Sequence, residues 1–318
     1  MARVLITGSR GVIGSWLTEV LTERKHQIFG IDLTHDLGEI GWEHTMSKGD
    51  FYYSRCDVAD FRQLERVFEK AGPFNFVYHC AAEFGRWNGE DFYEQVWRSN
   101  AIGTKNIIRL QERLGFKLIH FSSSEVYGDF DDVMHESVMD KHEIKQMNDY
   151  ALSKWVNEQQ IRNSAIKHKT ETVIIRLFNT YGPGEWYHPY RSVNCKFCYH
   201  LLHGIPIVVY RGHSRTSTYL EDTANALANI IDNFIPGEIY NIAGGEEHDI
   251  ELLADLTRQH SGAKKSLIKF QDSEILTTKS KKVDASRAAK HLKLKQTVGL
   301  EEGIKRTIEW MKKYYRIS

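Results

Sequence analysis

Positive charge is not in surplus in this chain. Across 318 residues, Lys plus Arg number 42 and Asp plus Glu number 42. A sequence-independent nucleic-acid binder displaces counterions with an excess of cations, so no nucleic-acid partner is expected. Long apolar runs are missing too. None reaches the roughly 18 residues that a membrane helix needs, so no membrane partner is expected. The opening run from Met1 to Ile6 meets a glycine-rich turn too early for a secretory signal, and a cytoplasmic location is expected. Cysteine is scarce: Cys56, Cys80, Cys195 and Cys198 are too few for a disulfide scaffold at this length. Cys195 and Cys198, with His200 and His203 close behind, could suggest a metal site. Zinc, however, wants four ligands converging tetrahedrally, and consecutive turns of one helix rarely supply them. No metal is expected. Internal repeats, low-complexity stretches and long charge blocks are also absent.

What is present is an alternation. Apolar strand candidates at Arg3–Thr7, Gln27–Asp32, Phe51–Asp57, Asn75–Ala81, Lys117–Ser122 and Thr172–Phe178 are separated by helical patterns. The helical patterns fall at Gly11–Arg24, Asp60–Ala71, Asp91–Leu114 and Asp149–Lys167. Such a β-α-β-α order predicts an α/β fold with a doubly wound parallel sheet. Beyond Asn179 the pattern turns irregular. Helices are expected near Ser192–His203, Glu221–Asn233, Asp249–His260 and Leu300–Tyr315, and strands near Ile207–Tyr210 and Glu238–Ile242. This divides the chain into residues 1–178 and a smaller C-terminal α/β substrate-binding region, residues 179–318, interleaved with the first and capping the sheet's C-terminal edge.

The first strand runs into Gly8, Gly11 and Gly14, spaced G-x-x-G-x-x-G, just before a helix that carries Val12 and Ile13. Glycines here let the backbone approach a pyrophosphate, whose charge then sits on the helix N-terminus. Asp32 ends the second strand, where a carboxylate accepts from the adenosine ribose and repels a 2′-phosphate. A Rossmann-type dinucleotide site with NAD rather than NADP follows, although Arg10 in the loop is a cation that could serve a 2′-phosphate. Asp57 either reaches the adenine or caps the next helix.

Tyr150 and Lys154 form an i, i+4 pair on one helix face. A tyrosine whose pKa is lowered by a neighbouring ammonium can take a hydroxyl proton as hydride leaves the carbon. Ser123, in a serine run at the end of the fifth strand, can hydrogen-bond the same oxygen.

With these pieces on one chain, the sequence resembles the extended short-chain dehydrogenases/reductases, specifically the nucleotide-sugar epimerase/dehydratase group. Further matching segments are His79–Ala82, Asn100–Thr104, Arg176–Pro183, Arg215–Asp222 and Leu300–Trp310. The resemblance implies a catalytic Ser123, Tyr150 and Lys154. It implies NAD contacts from Gly8, Arg10, Gly11, Val12, Ile13, Gly14, Asp32, Asp57, Ala81, Asn100, Tyr150 and Lys154. It implies Asn179 and Arg215 on a nucleotide-diphosphate sugar, although Ser217 and Thr218 stand where the family usually has an aromatic and an amide. It also implies a homodimer through the two long helices, with Trp155, Val156 and Ile161 as candidates to face outward or lie in the core.

Three reactions share a 4-keto sugar intermediate. Glu125, two residues after Ser123, stands where the family's 4,6-dehydratases and uronate decarboxylases carry a carboxylate and its simple 4-epimerases usually do not. Glu125 as a C5 base therefore makes a 4,6-dehydratase the leading expectation, with Ser124 at the place of a leaving-group acid. C4 epimerisation follows, then decarboxylation of a uronate. A non-catalytic NAD-sensing scaffold is the reading from another class. Glu83, in the unusual Glu83–Trp87 segment, is a candidate second carboxylate at the sugar.

Overall fold

Val4, Leu5 and Ile6 are wholly buried in succession, which a strand permits only when both of its faces are covered. The computed structural model describes residues 1–34 and 51–317. Its first half runs β1 (Arg3–Thr7), α1 (Val12–Glu23), β2 (Gln27–Asp32), β3 (Phe51–Arg55), α2 (Phe61–Ala71), β4 (Phe76–His79), α3 (Arg86–Asp91) and α4 (Tyr93–Val96). A π-helical turn (Trp97–Ile102), α5 (Gly103–Leu114), β5 (Lys117–Ser123), a 3₁₀ turn (Ser124–Tyr127), α6 (Val138–Lys141), α7 (Asp149–His168), β6 (Thr172–Leu177) and β7 (Thr180–Tyr181) follow. Then come α8 (Val193–Leu202), β8 (Ile207–Tyr210), β9 (Ser214–Thr216), β10 (Thr218–Tyr219), α9 (Leu220–Ala228), β11 (Ile239–Ile242), β12 (Glu247–Asp249), α10 (Ile250–Ser261), β13 (Ile268–Gln271), α11 (Ser286–Leu292) and α12 (Leu300–Tyr314).

Seven parallel strands form the central sheet in the order β11-β6-β5-β4-β1-β2-β3. Strand side chains alternate between faces. Val4 and Ile6 accordingly pack with Leu17, Leu21, Leu227 and Leu292 from α1, α9 and α11, while Leu5 packs with Leu64, Ile107 and Ile161 from α2, α5 and α7. A separate core of Tyr181, Phe197, Val209, Leu253, Ile304 and Met311 holds α8, α10 and α12 together. The strand order reverses between β1 and β4, and the carboxyl ends of strands at such a switch point form a ligand crevice.

Two expectations need correction. The long helix expected over Asp91–Leu114 is broken into α4, the π turn and α5, and is preceded by α3. The extra residue of the π turn swings Asn100 fully inward, an irregularity typical of functional sites. On α7, of the residues that could face outward or lie in the core, Ile161 lies in the core and the half-buried Trp155 packs against a cluster that includes Tyr127 and Met134. Finally, β13 and the seven-residue α11 fall where no element was expected. Both are too short to display a period.

Candidate active site

The turn after β1 is shaped by steric demand. Gly8 has φ +67°, and a Cβ there would lie 2.7 Å from the Ala81 nitrogen, so the loop and the end of β4 approach each other only because this residue is glycine. Gly11 caps α1 and donates its N–H to the Gly8 carbonyl at 3.0 Å. Ala81 is fixed in turn by the Thr7 hydroxyl, which accepts its N–H at 3.1 Å. Asp32 accepts the Arg10 backbone N–H at 3.0 Å, while the Arg10 guanidinium lies 3.9 Å over the Tyr53 ring. Gly8, Arg10, Gly11, Val12, Ile13, Gly14, Asp32, Asp57, Ala81 and Glu83 all line one cleft, which Tyr150 and Lys154 close at its far end. The glycine cradle at a helix N-terminus, with a carboxylate at the end of β2, fits NAD.

Asp57 has other partners besides, and Asn100, expected at the cofactor, is wholly buried behind the cleft. Asp57 does not cap α2, a task done by Asp60; it accepts the Ala59 N–H at 2.8 Å and pairs with Arg98 at 2.7 Å. Asn100 grips the Glu83 peptide from both sides, accepting its N–H at 2.9 Å and donating to its carbonyl at 3.1 Å, with a further bond to Ser153 at 2.9 Å. Glu83 receives the Asn88 amide at 3.0 Å and lines the dinucleotide cleft, so it does not stand on the sugar side as expected.

Tyr150 and Lys154 project from the first two turns of α7, whose N-cap Asn148 accepts the Ala151 N–H at 2.8 Å. One turn further on, Glu158 meets Arg176 of β6 at 2.7 Å and accepts the Ser122 hydroxyl at 2.6 Å. This wholly buried pair locks α7 onto β5 and β6, and so holds Tyr150 close enough to Ser123 for the serine hydroxyl to favour the ionised phenol. Burial pushes the Tyr150 phenol up to about 12; the Ser123 bond opposes this and the Glu125 charge adds to it. The net shift is upward, with the Lys154 ammonium 5.9 Å from the centre of the ring. That ammonium donates to the Phe121 carbonyl at 2.9 Å, and burial pushes it down to about 8.

Ser123, Ser124, Glu125, Tyr150, Asn179 and Arg215 line a second cleft, which joins the first at Val12, Ile13, Phe84, Tyr150, Leu177 and Arg191. Behind two of these lining residues the buried Lys281 is ion-paired with Glu125 and donates to Ser124 at 3.4 Å. Burial works to raise the Glu125 carboxyl, but Lys281, Arg86 and Arg215 outweigh it and hold it at about 2. Burial likewise pushes Lys281 down to about 8. Arg215 is steadied by the Ser214 and Lys279 carbonyls at 2.7 and 2.9 Å.

Lys281 was not among the expected site residues. In the run Lys279–Lys282 it reads as one of several solvated charges. The available signal is the extended period of two, which puts Lys281 on the same face as the apolar Val283. Lys281 is indeed buried and Lys282 exposed. Cys195 and Cys198 are buried on α8, the first with its thiol on the Glu185 carbonyl at 3.3 Å. Among the described residues no group of His, Cys, Asp and Glu is placed to hold a metal, and no helix is long and apolar enough to cross a membrane.

The chain is 28% identical to a UDP-N-acetyl-alpha-D-glucosaminuronate decarboxylase of Bacillus cytotoxicus, an alignment covering 98% of each chain. It is 26% identical to UDP-glucuronic acid decarboxylase 1 of Xenopus tropicalis, over 98% of this chain and 72% of that one. A UDP-glucose 4-epimerase of Thermus thermophilus, solved in complex with NAD, superposes with a TM-score of 0.84 at 24% identity, over 98% of this chain and 99% of the other. Residues 4–243, which hold both the glycine cradle and the Ser123, Tyr150 and Lys154 cluster, match a family model. By that match this NAD-binding chain belongs to the NAD dependent epimerase/dehydratase family.

Proposed function

We propose that the chain decarboxylates a nucleotide-diphosphate hexuronate through a 4-keto intermediate. The observation that carries this reading is the ion pair of Glu125, on the sugar cleft, with the buried Lys281 behind it. A carboxylate held at about 2 is a weak base, poorly matched to removing a C5 proton near neutral pH. Decarboxylation needs no such base. Lys281, Arg86 and Arg215 stand against Glu125 and Glu274, one cation in excess, which leaves positive potential for a substrate carboxylate. Two of the relatives described above act, by name, on uronates and are decarboxylases.

NAD, held by the glycine cradle and Asp32, would supply reversible hydride transfer at C4. Tyr150 receives the C4 hydroxyl proton as its phenolate; the burial that favours the neutral phenol would be offset by the positive charge of bound NAD and by the Lys154 ammonium beneath the ring. Ser123 holds the same oxygen. The C6 carboxylate is then β to a ketone. Its C5–C6 bond breaks, carbon dioxide leaves, and the electron pair moves through C5 onto the C4 oxygen as an enolate. Tyr150 and Ser123 stabilise that oxygen by hydrogen bonding. The Ser124 hydroxyl, backed by Lys281, supplies the proton that C5 takes up. Asn179 and Arg215 hold the diphosphate. Pairing of two copies through α5 and α7 is part of this reading, supported by the exposed Leu152 and Ile166 on α7.

The expected 4,6-dehydratase is the second reading. It is favoured by the Lys281 bond to Ser124, which puts a proton donor beside Glu125. Incubation with UDP-glucuronic acid and with neutral sugar nucleotides, read by mass spectrometry, tests the choice. A product lighter by carbon dioxide from the uronate is expected. A product lighter by water from a neutral sugar supports dehydration instead, and an unchanged mass with altered stereochemistry supports epimerisation.

A further inference from the structure

The segment from Phe84 to Trp87 lines the sugar cleft and brings in Arg86, which so far enters only through its charge. Its direction is built into the backbone. Gly85 has φ +97°, and a Cβ there would lie 2.7 Å from the Tyr190 carbonyl, so the chain can turn into α3 at this point only as glycine. Arg86 Nη2 donates to Glu274 at 3.0 Å, and both residues line the cleft. Arg86 Nη1 is buried and has no hydrogen-bond partner among the described residues. A buried donor left unmade is costly, and a guanidinium normally spends its nitrogens in pairs on one anion. Arg215 contrasts with it: that guanidinium already donates to Ser214, Lys279 and Thr277. Both arginines act on Glu125, Arg86 the more strongly.

We propose that Arg86 is the specificity-determining residue for the C6 carboxylate, with Glu274 holding the guanidinium by Nη2 while Nη1 donates to the substrate. The proposal rests on the hexuronate reading above. It makes the ion pair with Glu274 a positioning contact and assigns the Glu83–Trp87 segment the choice between uronates and neutral hexoses.

Calorimetric titration of NAD-loaded protein with UDP-glucuronic acid and with UDP-glucose tests it. Wild type is expected to bind the uronate more tightly. Arg86→Met is expected to weaken UDP-glucuronic acid by about 10- to 150-fold, the worth of one charge-assisted bond, and to leave UDP-glucose within about threefold. If Arg86→Met does not fold, Arg86→Lys, which keeps the charge opposite Glu274 but lacks the forked second donor, is read by the same two affinities. Equal weakening of both ligands places Arg86 on the diphosphate and overturns the proposal, as does no weakening of either. If wild type binds the two alike, the hexuronate reading falls and this proposal with it. If wild type prefers the uronate and the variant keeps that preference, only the assignment of Arg86 falls.

Discussion

Lys154 stands with its ammonium 5.9 Å from the centre of the Tyr150 ring and gives its hydrogen bond to the Phe121 carbonyl, 2.9 Å away. The pair is thus set by burial rather than by direct contact. The phenol is pushed up to about 12 and the ammonium down to about 8, each toward its neutral form. Lys154 brings its charge to the ring from below, while the Ser123 hydroxyl acts on the phenol itself.

Tyr150→Phe keeps the ring packed on Ser123 and removes the proton acceptor. Turnover is expected to fall by about 10²–10⁴, the usual weight of one general base. NAD affinity, measured by fluorescence titration, should stay within about threefold, because the glycine cradle and Asp32 are untouched. Near wild-type turnover in Tyr150→Phe would remove the tyrosine from the mechanism.

Asp32 should make the cofactor NAD. Its carboxylate stands at the end of β2 with the Arg10 N–H on it, while the Arg10 side chain is stacked on Tyr53. A 2′-phosphate would meet a like charge in a partly buried cleft. Cofactor released by denaturing the purified protein is expected to be NAD or NADH, and Asp32→Ser should narrow the preference. Recovery of mainly NADP would show that Arg10, not Asp32, sets it.

Local chemistry made this much legible from sequence. Gly8, Gly11 and Gly14 follow a strand directly, and Tyr150 and Lys154 are one helical turn apart, so each motif is complete within a few residues. What stayed illegible is long-range. Lys281 reaches Glu125 from 156 residues away in the chain, and Arg86 reaches Glu274 from 188. No period or spacing links such pairs; only the packed second lobe brings them together. Glu125 was legible as a carboxylate at the sugar, but its weakness as a base was not, because Lys281 is what causes it.

Two buried histidines make stability depend on acid. Burial, with the Lys154 charge adding to it, lowers His79 from its usual 6.5 to about 3 and puts His120 well below that usual value. His79 sits between the Thr7 and Thr104 hydroxyls at 2.8 and 3.0 Å. A group whose folded pKa is depressed gives its stability in full above the unfolded value and loses it as pH falls. Between about pH 6.5 and 4.5 the unfolded chain takes up protons that the folded chain refuses, at about 1.4 kcal/mol per pH unit for each histidine. Urea titrations across that range should show the decline, and His79→Gln should make it shallower. A flat profile for the native chain would contradict the buried neutral state.

Glu125→Gln separates the two reactions most sharply. The substitution keeps size and one hydrogen-bond acceptor for Lys281 but cannot take a proton. If Glu125 removed the C5 proton, as dehydration requires, turnover would fall by about 10²–10⁴ and 4-keto sugar would accumulate. If the uronate loses carbon dioxide, no base is needed, and removing one negative charge from the carboxylate pocket should leave turnover of UDP-glucuronic acid within about tenfold. Lys281→Met is the converse. It takes away the cation that faces Ser124 and Glu125, and uronate turnover is expected to fall by about 10- to 150-fold, the worth of one charge-assisted contact. The pH profile carries the same sign. Lys281, pushed down to about 8, loses its proton as pH rises through that value, and binding of the uronate should weaken there while binding of UDP-glucose changes less. A Glu125→Gln variant that stalls at the 4-keto stage on a neutral sugar nucleotide, in a chain whose wild type leaves UDP-glucuronic acid unchanged, would return the site to the dehydratase reading.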